Sequence, residues 1–210
     1  MLSHMTDFKK DLNSSQYAAV TAKGGPMLVL AGAGSGKTRV IEYRALFLVR
    51  EGIEPESILL LTFTRRAAGE MLSRAAKRDA RCERIHGGTF HSFAYRTLKR
   101  FSGIVGFNPS FSILDESDAA DAVGRSAENI GITDRGKRFP KKDTIKGIIS
   151  SAINKDLSIE DVLDTQYSHL LEFCSEIEAI RDEYERFKRK RGYMDYDDLL
   201  VNLKLVLEDP

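Results

Sequence analysis

Eight residues, Ala31-Gly-Ala-Gly-Ser-Gly-Lys-Thr38, constrain this chain more than any other stretch. An apolar run, Met27-Leu-Val-Leu-Ala31, leads into them, and a helix-like pattern from Arg39 to Val49 follows. Strand, glycine loop and helix in that order are what a phosphate-binding loop requires. Gly32, Gly34 and Gly36 carry no Cβ and can take positive φ. The backbone N–H groups of Ala31, Gly32, Ala33, Gly34, Ser35 and Gly36 can therefore turn inward onto a triphosphate. The next helix adds its free N–H groups and partial positive charge. In such a loop Lys37 reaches the β- and γ-phosphates and the Thr38 hydroxyl sits on Mg²⁺. Ala31 stands where the strict motif has Gly, a small-for-small exchange. The pattern predicts a nucleoside triphosphate ligand.

At 210 residues the chain can bury a proper core as one large domain or two small ones. With 42% hydrophobic and 30% charged residues, it has the composition of an ordinary globular protein. No apolar run approaches the roughly 20 residues of a membrane span, and no secretory segment opens the chain. Cys82 and Cys174 make neither a disulfide framework nor a zinc site, so a reducing, cytoplasmic setting is expected. The net charge of +1 conceals two basic blocks. One runs from Thr64 to Arg100, the other from Arg135 to Lys146. Basic blocks beside a nucleotide site suggest a polyanion partner, although solvated helix faces explain either block alone.

Met1-Leu-Ser-His-Met5 resembles a cloning scar and is left aside. Asn13 is a good N-cap for a short helix that carries Gln16. A Gln amide can match the N6 and N7 edge of adenine, or simply face solvent. Ile58-Leu-Leu-Leu-Thr62 reads as a buried parallel strand, with Phe63, Thr64, Arg65 and Arg66 at its exit. A helix is expected from Ala67 to Asp79. Ile85 to Ser92 reads as a further strand running into the start of a helix from Phe93 to Phe101. There Thr89, His91 and Ser92 offer hydrogen bonds and Phe90 a stacking face. Ligands of open α/β sheets bind beyond strand C-termini, where these residues fall. His91 has no visible acid–base partner and reads as a cap or core residue rather than a catalyst. Phe111-Ser-Ile-Leu-Asp-Glu116 imitates a Walker B strand, but Ser112 interrupts it and helix capping accounts for the acids. From Ser117 to Arg191 the pattern is helical almost throughout, with a long stripe from Tyr167 to Lys190 and a capping box at Ser158-Ile-Glu-Asp161. Asp195, Asp197 and Asp198 read as a cap and acidic first turn rather than metal ligands.

Taken in order, Leu12-Asn-Ser-Ser-Gln16, Ala31 to Thr38, Leu61-Thr-Phe-Thr-Arg-Arg-Ala-Ala68, Gly88-Thr-Phe-His-Ser92 and Met194-Asp-Tyr-Asp-Asp-Leu-Leu200 resemble the UvrD/Rep-type superfamily 1 DNA helicases. They correspond to the Q motif, motifs I, Ia and Ib, and the helix leading toward Walker B. The resemblance implies an α/β fold, a RecA-like P-loop core (1A) with a parallel sheet and an inserted all-helical subdomain (1B). It places 1A at 1–107, 1B at 108–192 and the return to 1A at 193–210. It implies ATP and Mg²⁺ as cofactors and single-stranded and duplex DNA as partners. Gln16 would read adenine and Arg39 would lie against its ring. Phe63, Thr64, Phe90 and His91 would line the single-strand path, and the segment 135–146 would contact duplex. Arg65-Arg66 stands where Asn-Lys is common in the family, a change that strengthens phosphate contact.

No convincing Walker B follows the loop, and the second RecA-like domain is missing. The expectation is an N-terminal helicase fragment that binds ATP weakly and turns it over poorly. Two other readings compete: a small P-loop kinase, and a non-catalytic DNA-binding module.

Overall fold

The computed structural model describes residues 7–132 and 139–209. Arg135, Lys137 and Arg138 of the expected duplex-contacting segment lie outside them, as does Met1 to Met5. The chain divides into two units, Met1–Phe93 and Ala94–Pro210.

The first unit opens with α1 (Phe8–Asp11) and α2 (Ser14–Thr21). Asn13 caps α2 as expected: its side chain accepts from the Gln16 N–H, and the Gln16 carbonyl oxygen accepts from the Asn13 N–H. Then come α3 (Lys37–Arg50), β1 (Leu59–Thr62), α4 (Arg65–Arg78), β2 (His86–Thr89) and the start of α5 (Phe90–Phe101). β1 and β2 are parallel, Leu59 opposite His86 and Thr62 opposite Thr89, with α4 as the crossover. Ala68, Met71 and Ala75 are buried at helical spacing on α4, and Met71 and Ala75 share a core with Ala45, Leu46 and Val49 of α3 and Leu60 of β1. A second cluster joins Leu12, Val20, Val40 and Tyr43, fastening α2 to the base of α3.

The apolar run 27–31 departs from expectation. No described strand pairs with it, and Leu28 and Leu30 are 83% and 86% exposed. A strand exists through its ladder partners, and β1 and β2 pair only with each other. α5 also starts three residues earlier than expected, because Thr89 and Ser92 exchange hydrogen bonds across its first turn.

The second unit holds most of α5 and then β3 (Ser112–Ile113), α6 (Glu116–Asn129), α7 (Lys142–Lys155), α8 (Ile159–Gln166), α9 (Cys174–Arg191), β4 (Tyr193–Met194) and α10 (Tyr196–Glu208). Asp115 caps α6, so the Asp-Glu pair is indeed a helix start. Ser158 and Asp161 form the expected box on α8. The stripe from Tyr167 is not one helix: a 3-10 segment, Ser168–Phe173, precedes α9. That turn delivers Leu170 to the core formed by Val123, Ile148, Ile149, Val162, Leu163, Ile177, Ile180 and Tyr184. β3 and β4 pair in parallel, Ser112 opposite Tyr193 and Ile113 opposite Met194.

Candidate functional site

Gly34 and Gly36 have φ of 74° and 88°, the left-handed region the loop was expected to need. Gly36 is also the N-cap of α3, so Lys37 and Thr38 open that helix. The Ser35 hydroxyl donates to the Gly32 carbonyl at 2.7 Å. Lys37 lies across the loop and donates to the carbonyls of Ala31 and Gly32 at 3.0 and 2.8 Å. These are neutral acceptors that phosphate oxygens would outcompete, since charge-assisted bonds are about twice as strong.

Gln16 is brought onto this loop from α2. Its Nε2 donates to the Ser35 carbonyl at 3.0 Å while its Oε1 serves the capping box. One N–H and a carbonyl lone pair are left on the amide. Arg39 donates to the Asp11 carbonyl at 2.6 Å and lies 5.3 Å from the Tyr43 ring centroid. Arg78 lies 4.7 Å from the same ring, and the Tyr43 hydroxyl donates to the Asp11 carboxylate. Arg39, Glu42 and Tyr43 face Arg74, Lys77 and Arg78 across a cleft of about 380 Å³.

The second constellation sits at the strand exits. Thr62 and Thr89 end β1 and β2 side by side, so Phe63 and Phe90 emerge together. Their ring centroids are 6.0 Å apart at 42°, and Phe63 is 91% exposed. Phe63 and Phe90 thus form an exposed aromatic pair at the strand exits. Thr64 caps α4 by accepting from the Ala67 N–H, and the Ser92 hydroxyl donates to the Thr89 carbonyl. Those hydroxyls therefore build the platform on which the aromatics stand. Arg65, Arg66 and His91 are exposed beside them, and Arg66 pairs with Glu70 at 2.9 Å.

Asp195 caps α10, with Asp198 completing a capping box, as the sequence suggested. The sequence did not reveal what surrounds them. Lys188 is 1% exposed and reaches Asp198 at 2.7 Å, Asp195 at 3.3 Å and Glu185 at 2.8 Å. Lys146 reaches Asp197 at 2.8 Å and Asp195 at 3.5 Å, and the Tyr184 hydroxyl donates to Asp195 at 2.8 Å. Burial pushes the Asp195 carboxyl up, but Lys188, Lys146 and its hydrogen bonds outweigh this and hold it down at about 2. Burial, with the Asp195 and Glu185 charges, pushes Asp198 up to about 6 against the pull of Lys188. Continuing the stripe Ile177, Ile180, Tyr184 by four residues points to Lys188, the one signal that could have found this cluster.

Among the described residues no group of three His, Cys, Asp or Glu side chains is placed to hold a metal. Nor is any described helix long and apolar enough to cross a membrane. Burial pushes the Cys82 and Cys174 thiols up, away from nucleophile chemistry.

A family profile described as the UvrD/REP helicase N-terminal domain matches residues 12–210. The chain is 35% identical over 195 residues to the ATP-dependent DNA helicase PcrA of Bacillus subtilis (strain 168), covering 90% of this chain and 25% of that protein. It is 34% identical over 202 residues to the PcrA of Staphylococcus epidermidis, covering 94% and 26%. With the PcrA of Staphylococcus aureus (strain Mu50) it shares 32% over 203 residues, covering 96% and 26%. The chain thus spans about a quarter of the length of these relatives.

Proposed function

The chain belongs to the UvrD/REP helicase family, and from that premise we propose that it is the ATP- and single-strand-DNA-binding part of an ATP-dependent DNA helicase. One observation carries the reading. A glycine loop with two left-handed glycines opens α3, in the same unit as a pair of parallel strands whose exits present Phe63 and Phe90.

The ligand of the loop is Mg–ATP. Lys37 leaves the Ala31 and Gly32 carbonyls for the β- and γ-phosphates, and the N–H groups of residues 31 to 36 turn to the same oxygens. Thr38, exposed on the first turn of α3, would supply its hydroxyl oxygen to the metal of the incoming nucleotide. Gln16 and Arg39 lie on the nucleoside side. Phe63 and Phe90 stack bases, each worth about 1–3 kcal/mol. Thr64, Arg65, Arg66, Thr89, His91 and Ser92 serve the phosphates of the strand. Duplex is the second DNA partner, and a reducing cytoplasm the setting.

The fold reading is a partial RecA-like 1A domain, residues 1–107, interrupted by a helical 1B insertion over 108–192 and resumed at 193–210. The β3–β4 pairing supports this, since it sets the entry of the helical segment beside its exit. The exposed run 27–31 supports it too. A doubly wound sheet would bury such a run on both faces.

Binding of a fluorescent ATP analogue with Mg²⁺, and of single-stranded DNA, tests the proposal. Lys37→Ala should abolish nucleotide binding and spare DNA, and Phe63→Ala with Phe90→Ala should weaken DNA at least about tenfold and spare nucleotide. Turnover of Mg–ATP by these 210 residues should stay low with and without DNA. Nucleotide binding indifferent to Lys37→Ala would overturn the reading.

A further inference from the structure

We propose that the cleft between α3 and α4 is a further nucleic-acid contact, taking the phosphate backbone of a strand that has passed Phe63 and Phe90. The proposal rests on the reading that those two rings stack bases. Four cations, Arg39, Arg74, Lys77 and Arg78, line the cleft against one carboxylate, Glu42. With Arg39 given to the nucleotide, three cations of α4 remain for the strand.

The protein holds these groups ready for an anion. The Arg78 Nε donates to the buried Glu42 carboxylate at 3.4 Å, its Nη1 is 3.8 Å from the Asp11 carboxylate, and its guanidinium carbon is 4.7 Å from the Tyr43 ring centroid. A guanidinium has five N–H donors, so most of those on Arg78 remain unused, and their planar fork matches phosphate oxygens. Arg74 reaches only the exposed Glu70, at 3.4 Å. The Lys77 ammonium makes no ion pair among the described residues. Solvated faces would send the cations of the first basic block apart, whereas these converge on one concavity.

The cleft is also continuous with the strand exits. Arg66, Glu70, Arg74 and Arg78 form an i+4 row on α4, and Glu70 pairs with both Arg66 and Arg74. From Arg66 to Arg78 the row covers about 18 Å of helix. Its head adjoins Thr64, the cap of α4, next to Phe63, and its foot is the cleft. A strand stacked on the aromatics is thereby led along the row by its phosphates. That continuity favours a nucleic acid over an acidic protein as the occupant.

Fluorescence anisotropy of the 210-residue chain with an oligothymidylate of about 16 nucleotides, over a series of salt concentrations, tests this. Each phosphate neutralised on a single strand adds about 0.7 to the steepness of log K against log salt, so Arg74→Gln with Lys77→Gln should reduce it by about 1.4. Arg74→Lys with Lys77→Arg keeps both charges and should keep the slope. Lys155→Gln with Lys204→Gln removes the same charge from the second unit and should also keep it. A wild-type slope in the Arg74, Lys77 glutamine variant, or an equal reduction in the Lys155, Lys204 variant, would overturn the proposal. A wild-type chain that binds no oligonucleotide would instead refute the single-strand reading itself.

Discussion

Lys188 lies buried among three carboxylates, and those carboxylates are unequal. Asp195 also takes Lys146 and the Tyr184 hydroxyl, whereas Asp198 lies beside the Asp195 and Glu185 charges. Removing Asp195 takes one carboxylate from each of two buried lysines, leaves the Tyr184 hydroxyl without its acceptor and uncaps α10, so Asp195→Ala should cost about 2–3 kcal/mol in urea unfolding. Arg66→Ala, which breaks an exposed pair, should leave the unfolding midpoint in place. The pH dependence has two opposing parts. Asp195, depressed to about 2 in the fold, contributes stability that is present above its unfolded pKa near 4 and lost as pH falls toward 2. Asp198, raised to about 6, binds its proton more tightly when folded. Its contribution is full below about pH 4 and lost as pH rises through 6. Asp198→Asn should therefore gain on wild type by about 2 kcal/mol between pH 4 and pH 7, read from urea midpoints at each pH.

At the scale of elements, two glycines in the first unit have specific jobs. Gly87, in β2, lies against the Leu72 side chain of α4, so Gly87→Ala should push Leu72 out of its place and cost about 1–3 kcal/mol. Gly34 and Gly36 share positive φ, but only Gly36 is also crowded, by Gln16. Gly34→Ala and Gly36→Ala should each cost nucleotide affinity through the strained φ, and Gly36→Ala the more because it also displaces the Gln16 amide, a contrast measurable with one fluorescent nucleotide. Element boundaries followed local chemistry where caps were explicit, at Asn13, Asp115, Ser158 and Asp195. They slipped at α5 and at Ser168–Phe173. There the start depended on a hydroxyl exchange between Thr89 and Ser92, or on delivering Leu170 to a distant core.

For the molecule as a whole, the open issue is apolar surface. Met27, Leu28, Val29 and Leu30 are 46, 83, 40 and 86% exposed in a chain a quarter the length of its relatives. Contiguous exposed apolar surface promotes association. Leu28→Ser with Leu30→Ser should reduce self-association in sedimentation, and in a chain of the relatives' length the amides of 27–30 should become protected from exchange. Equal association by the wild-type and double-serine chains would show that this run is not the adhesive surface.

The sequence by itself determined the loop, its glycines, the lysine and threonine that follow, the parallel β–α–β unit and the family. These depend on residue type at fixed spacing, and local sterics carry that information. Only the tertiary structure decided which groups meet. It closed Gln16 onto Ser35, set Phe63 beside Phe90 by the register of β1 on β2, and buried Lys188 and Lys146 against the cap of α10. Pairings between residues of different elements follow from packing of whole faces, and no periodicity within one element names the partner.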